Sequence, residues 1–305
     1  MNTRRSQWLA ILVAVVFAFP ALAPERGEAQ TGSRTFPETG KTVSGRFLEY
    51  WNTHGGLAQQ GYPISSELRE TSDTDGKTYT VQYFERAVFE MHPENPQPND
   101  VLLSLLGVFL YNQKYPQGAP GQLTSFGSGA RLFPETGKHV QGKFLAYWNA
   151  HGGLAQQGYP ISEEFQERSD LDGKTYTVQY FQRAVFEAHP ENRPPYDVLL
   201  SQLGTFRYRQ KYAAGGPTPQ PVAEAKVNII DFDFDPRTIT VSAGTKITWT
   251  NIGPTEHTVA DMSLKIFGSK ILQKGDTFSY TPTGPGTIPY WCTIHPDMKG
   301  TIIVK

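Results

Sequence analysis

Cys292 is the only cysteine in a chain of 305 residues, and it lies in the stretch Tyr290-Trp291-Cys292-Thr293-Ile294-His295-Pro296-Asp297-Met298. A histidine stands three positions after it and a methionine three beyond that. Thiolate, imidazole and thioether are the soft-to-borderline donors that copper prefers. A second imidazole is available from His257 in Pro254-Thr255-Glu256-His257-Thr258-Val259; His257 and His295 are the only histidines after position 189. Taken singly, each residue has a bland role. A lone cysteine is usually a small buried hydrophobe, a methionine is core filler, and a histidine is a hydrogen-bonded or exposed side chain. Their joint spacing changes this, because Cys-x-x-His-x-x-Met is short enough for one loop to close on one ion. The expected metal ligands are therefore His257, Cys292, His295 and Met298. Met262 is a rival axial donor outside that loop, and zinc is the rival ion at the same side chains.

Two imidazoles and a thiolate in a trigonal set, with a weak axial methionine, make up a type 1 (blue) copper site that passes single electrons. A set of four ligands leaves no open position for a substrate, and no further histidine-rich motif supports a multicopper oxidase. The expectation is a non-enzymatic electron carrier with one copper ion, a redox partner protein and no catalytic residue. The alternative is a wall-associated protein that sequesters or delivers copper without a redox partner. An intense visible charge-transfer band with reversible voltammetry marks the first, and tight binding of cuprous ion with neither marks the second.

Such donors need a framework, and the sequence from Lys226 onward supplies short strands. Ile239 and Val241 alternate, Ser242-Ala243-Gly244-Thr245 turns, and Lys246 to Asn251 puts Ile247 and Trp249 on one face. Runs at Thr277–Thr281, Thr287–Cys292 and Gly300–Val304 follow. Short strands with frequent turns in this length predict an antiparallel β-sandwich. It brings the His257 loop beside the loop after Cys292.

With these residues in view, the C-terminal segment resembles a cupredoxin of the amicyanin–plastocyanin type with a short, amicyanin-like ligand loop. Tyr290-Trp291-Cys292-Thr293 fits that family's aromatic-Cys-Thr strand end. The resemblance implies a Greek-key sandwich, ring nitrogens from His257 and His295, a thiolate from Cys292 and a long axial contact from Met298. Three positions depart from the family pattern. Thr258 stands where Asn often ties the two loops together, and its hydroxyl is expected to reach Thr293 or the surroundings of the sulfur. Ile294 replaces a proline, which adds a backbone N–H expected near the Cys292 sulfur. Asp297 stands where an apolar residue would extend the docking patch around His295.

The rest of the chain is organised by duplication. Phe36-Pro37-Glu38-Thr39-Gly40-Lys41 returns as Phe133-Pro134-Glu135-Thr136-Gly137-Lys138, and Trp51, His54-Gly55-Gly56-Leu57 and Asp100 recur as Trp148, His151-Gly152-Gly153-Leu154 and Asp197. Two copies make a duplication rather than a solenoid, so each is expected to fold as a unit. Within a copy, Val43 to His54 carries Phe47, Leu48 and Trp51 at helical spacing, with Gly55-Gly56 as a stop. Asp75-Gly76 joins Glu67–Thr71 to Lys77–Phe84, whose Tyr79, Val81 and Tyr83 alternate along one strand face. Arg86–His92 reads as a further strand, followed by the apolar run Val101–Leu106, so each copy is a small α+β module. The pattern Trp…Gly-Gly…Gly-Tyr-Pro-Ile-Ser, then Gln-Tyr-Phe and Ala-Val-Phe-Glu, resembles the LGFP repeat of bacterial extracytoplasmic proteins. This chain has Gly-Tyr-Pro where that family's name implies Leu-Gly-Phe-Pro. The resemblance implies cell-wall attachment, with a cell-wall glycan as partner. Glu90 and His92 recur as Glu187 and His189, but two apart on a strand and with no recurring nucleophile they read as structural.

Composition and the N-terminus bound the remaining classes. The formal net charge is −1, with 29 Gly and 23 Pro, so there is no basic excess for nucleic acid. Arg4-Arg5 followed by the apolar run Trp8 to Phe19, then Ala21-Leu22-Ala23 and the small residues near Gly27 to Ala29, reads as a secretory signal peptide. A secreted or extracytoplasmic location follows, in periplasm or at the cell surface, with no membrane span after cleavage. The predicted architecture is a signal peptide (1–29), module 1 (34–115), a linker (116–130), module 2 (131–212), a Pro/Gly-rich linker (213–225) and a copper-binding domain (226–305).

Overall fold

The structure, a computed structural model, describes residues 32–72, 74–169, 172–212 and 220–305. The signal-peptide reading falls on residues 1–29, outside them. Among the described residues no helix is long and apolar enough to cross a membrane.

Each repeat begins with a two-stranded hairpin, Ser33–Phe36 with Lys41–Ser44 and Arg131–Phe133 with Lys138–Val140. The Phe-Pro-Glu-Thr-Gly-Lys motif is its turn, closed by Gly40 N–H on Phe36 O at 2.8 Å. The predicted helix forms at Gly45–Thr53 and again at Gly142–Ala150. Phe47, Tyr50 and Trp51 lie on its buried face, one turn apart as amphipathic packing requires. Gly55 (φ 84°) takes the left-handed conformation that ends it, and a short helix, Gly56–Gln60, follows. Four strands then pair antiparallel in sequence order: Leu68–Thr71, Thr78–Tyr83, Val88–Met91 and Val101–Leu103. Tyr79, Val81 and Tyr83 are buried, as their alternation predicts. The modules are α+β.

The repeats are not self-contained, which corrects the expectation that each folds as a unit. Each ends in a helix that the apolar run had concealed, Leu106–Lys114 and Leu203–Tyr212. These helices are exchanged. Gly107 and Val108 donate their N–H groups to Gln182 O of the second repeat at 3.1 and 3.2 Å, and Thr205 N–H reaches Glu85 O of the first at 3.0 Å. Tyr111 packs on Tyr180 (5.1 Å between ring centres) and Tyr208 on Tyr83 (5.1 Å). A single apolar cluster results, joining Val81, Tyr83 and Leu110 to Val178, Tyr180 and Leu203. Both close approaches need glycine. A Cβ on Gly107 would lie 1.9 Å from Phe181 O, and one on Gly204 would lie 1.9 Å from Phe84 O.

The C-terminal region is a sandwich of two four-stranded sheets. One runs Asp233–Asp235, Glu224–Ile230, Lys246–Asn251, Thr277–Tyr280; the other runs Thr238–Val241, His295–Val304, Gly286–Cys292, Ala260–Asp261. Pairing is antiparallel except for one parallel pair in each sheet. Between the sheets lies a core that includes Val227, Ile247, Trp249, Phe278, Tyr290 and Ile302. This sandwich rests on the first repeat. Gln220–Pro221 adds a fifth strand to the edge of the first repeat's sheet, against Leu68–Arg69. Lys246 pairs with Glu67 and donates to Ser44 Oγ at 2.7 Å.

Candidate metal centre

Cys292 ends the strand Gly286–Cys292, and a two-residue turn returns the chain at His295, its register partner. The pairing then slips: Trp291 faces Lys299, so Pro296, Asp297 and Met298 are extra residues on the returning strand. Such a bulge bends a strand and re-aims its side chains. It leaves Pro296 and Asp297 exposed and Met298 buried at 3 % exposure.

His257 comes from the opposite side, on a loop fixed by the backbone. Its N–H and C=O pair with Leu272 at 3.2 and 2.7 Å. The fully buried Asn251 holds the preceding residues, donating through Nδ2 to Thr255 O (2.7 Å) and Leu272 O (2.8 Å) and accepting from Gly253 N–H (3.1 Å). After the ligand loop, the carboxylate of Asp261, 1 % exposed, gathers the N–H groups of Ser263, Ile266 and Phe267 at 2.8–2.9 Å.

These elements bring three donor atoms together. Cys292 Sγ is 3.8 Å from His257 Nδ1 and 3.5 Å from His295 Nδ1, and the two nitrogens are 3.2 Å apart. The centre of that triangle is about 2.0 Å from each corner, close to the 2.0–2.3 Å at which imidazole and thiolate hold a first-row metal. Three lone-pair atoms of soft-to-borderline character around one such point fit copper by chemistry as well as by size. Among the described residues this is the one cluster of three His, Cys, Asp or Glu side chains with metal-ligand geometry. His257 and Cys292 are buried and His295 is partly exposed. Burial, then the neighbouring His295, pushes His257 below the usual imidazole range, with Asp231 acting the other way. A neutral ring with a free lone pair is what ligation needs. Of the methionines weighed as axial donors, Met298 lies in the core cluster with Cys292, while Met262 is 41 % exposed.

Thr258 ties the two loops, as the sequence suggests. Its Oγ1 accepts from Thr293 N–H at 2.7 Å and lies 2.9 Å from Thr293 Oγ1, leaving its own hydrogen free for Sγ at 3.6 Å. The backbone donor to the sulfur is also Thr258, at 3.2 Å. The expectation that Ile294 supplies this donor is incorrect: no hydrogen bond joins Ile294 N–H to Sγ among the described residues, and Ile294 is 42 % exposed in the turn. Sequence reasoning also passed over Asn251 and Phe232. The Phe232 ring packs edge-to-face against both imidazoles, 4.8 Å from the His295 ring and 5.9 Å from the His257 ring. Asp231-Phe232 between two short strands carried only a turn signal.

The ionisable groups of the repeats form a different arrangement. His92 lies 3.5 Å from Glu90 and 3.0 Å from Glu94, and Ser104 donates to Glu90; Glu187, His189, Glu191 and Ser201 repeat this. Sequence reading missed the recurring serine. In each copy the Glu carboxylate lies between hydroxyl and imidazole, so the serine is bonded to the carboxylate and not to the histidine ring.

Residues 206–304 match the family model of the cupredoxin-like domain. Amicyanin-alpha of Methylorubrum extorquens is 33 % identical over 114 residues, which is 35 % of this chain and 96 % of that protein. Two solved structures are similar at a TM-score of 0.26 and 26 % identity. Amicyanin from Paracoccus versutus matches over 28 % of this chain and 84 % of its own. A purple cupredoxin from Nitrosopumilus maritimus matches over 27 % and 99 %.

Proposed function

The chain belongs to the cupredoxin-like family through its C-terminal domain, and from that premise we propose that it is an extracytoplasmic electron carrier. Its cofactor is one type 1 copper ion, which supplies a single reversible electron. His257, Cys292, His295 and Met298 are the residues that would hold that ion, through two ring nitrogens, a thiolate and a thioether. The observation that carries this reading is the triangle of Sγ and two Nδ1 atoms closing around one point.

The chain's own residues prepare this site before any metal enters. Asn251 and Leu272 fix the His257 loop, and Thr258 locks it to Thr293. Ligands held in place by hydrogen bonds and packing need little rearrangement when the charge of the site changes. The Thr258 N–H draws electron density from the sulfur and favours the reduced form. His295, the partly exposed imidazole of the three, is the one a partner protein would approach.

The two repeats, with their exchanged helices, serve as an envelope-binding unit, and a cell-wall glycan is the partner that the LGFP-like pattern implies. The Lys246–Glu67 pair and the added strand at Gln220–Pro221 link that unit to the copper domain. The domain limits 1–29, 34–115, 116–130, 131–212, 213–225 and 226–305 belong to this proposal. The test is an absorption spectrum and voltammogram of the copper-loaded chain. An intense visible band with a reversible one-electron wave supports the carrier. Tight cuprous binding with neither supports sequestration instead.

A further inference from the structure

Phe232 occupies the tip of the hairpin between Glu224–Ile230 and Asp233–Asp235. Its φ of 59° lies in the left-handed region, and Leu264 is the only other described non-glycine residue with a positive φ. A bulky aromatic there is a steric outlier, and such conformations persist where the surroundings impose them, often at functional sites. Burial does not explain the choice, because Phe232 is 58 % exposed and takes no part in the sandwich core.

What the conformation achieves is contact with the ligands. The phenyl ring lies 4.8 Å from the His295 imidazole and 5.9 Å from that of His257, at 81° to each, the edge-to-face arrangement that aromatic pairs favour. The hairpin tip is pinned from the ligand side: Asp231 accepts from the Thr255 hydroxyl at 3.4 Å, two residues before His257. A Cβ on Gly253 would meet Asp231 Oδ1 at 2.9 Å, so tip and loop are in close contact. On the other loop, Asp297 offers no apolar cover, since it is charged and exposed. His295 is the one imidazole of the centre that is not buried, and Phe232 is the ring against it.

We infer that Phe232 is a positioning residue of the metal centre, which holds the partly exposed His295 ring in its ligating orientation. This rests on the copper reading above. The backbone strain is tolerated because a smaller or more relaxed residue at the tip would leave His295 free to turn away.

The test uses the full chain loaded with copper, as Phe232→Ala, Phe232→Gly and Phe232→Tyr. Three quantities are measured: the visible band, the rate of copper loss to excess EDTA, and the thermal unfolding of the metal-free chain. All three variants keep the band. The Ala and Gly variants lose copper about tenfold faster or more, the scale on which residues that orient ligands act, and the Tyr variant matches wild type. The metal-free Gly variant unfolds no earlier than wild type, because glycine adopts the left-handed conformation freely. Copper loss would thus accelerate without loss of fold stability, which a merely structural aromatic does not produce. Unchanged copper loss in the Ala and Gly variants, with the band intact, overturns the inference alone. Acceleration only in step with a lower unfolding temperature also overturns it. A wild-type chain with no band sinks the copper reading and this inference with it.

Discussion

Thr258 and Cys292 meet through the backbone: the Thr258 N–H points at Sγ from 3.2 Å, while the same residue's hydroxyl oxygen accepts from Thr293 N–H at 2.7 Å. One residue therefore both polarises the sulfur and joins the loops that carry His257 and His295. Thr258→Val keeps the backbone donor at 3.2 Å and removes the hydroxyl, and with it both the acceptor for Thr293 N–H and the longer 3.6 Å contact to Sγ. The Thr293 N–H loses its partner, but Thr293 is exposed and water replaces part of the bond, so the expected cost is about 1 kcal/mol. Copper should leave the variant faster while the visible band persists, because the shorter backbone donor to the sulfur remains. Chelator-driven loss and denaturant unfolding of the two proteins check this; a band that vanishes would place the hydroxyl among the essential groups.

Asp261 organises the segment after the His257 loop. Burial by itself would raise its pKa, but donors from Ser263, Phe267, Ile266 and Lys265 outweigh it and hold the carboxyl below its usual range. A group whose folded pKa is depressed stabilises fully above its unfolded pKa, about 3.9, and that stability is lost as pH falls through the folded value. Asp261→Asn should cost about 2–3 kcal/mol at pH 7, the worth of hydrogen bonds to a buried charge. The gap between wild type and variant should narrow as pH drops below about 4. Urea unfolding at the two pH values decides it; a gap that does not change with pH contradicts the account.

The exchanged helices make a prediction about cooperativity. Gly107→Ala and Gly204→Ala each force a Cβ onto a carbonyl oxygen of the other repeat, Phe181 O or Phe84 O. Each should destabilise the repeats by about 1–3 kcal/mol, the cost of overpacking. Because Val81, Tyr83, Val178 and Tyr180 share one cluster, either variant should weaken both copies together. Denaturant unfolding followed separately by Trp51 and Trp148 tests this, with the other tryptophans replaced by Phe. Two separated transitions would contradict it. The copper band should be unaffected.

The convergence of His257, Cys292 and His295 was legible because chemistry restricts it: a lone cysteine, two late histidines and a three-residue spacing leave few arrangements. The strands around it were legible from alternation, as Ile247 and Trp249 show by being fully buried. The donor to the sulfur was not. Ile294 is nearer to Cys292 in sequence, but the two-residue turn carries it outward, and Thr258 reaches the sulfur from 34 positions away. Phe232 was invisible for the same reason, since its contacts with His257 and His295 exist only after the sheets pack. The helices Leu106–Lys114 and Leu203–Tyr212 bury residues against two repeats at once, which blurs the one-sided pattern of an amphipathic helix.

The central claim is that Cys292 gives copper a thiolate in a trigonal set with His257 and His295, and the most direct measurement is the absorption spectrum of the copper-loaded chain beside that of Cys292→Ser. Charge transfer from thiolate to copper requires sulfur, so the account predicts an intense visible band in the wild type. The Ser variant should lose it, even where His257 and His295 still retain metal. An intense band that survives in Cys292→Ser would show that the colour arises elsewhere and that the ligand assignment is wrong.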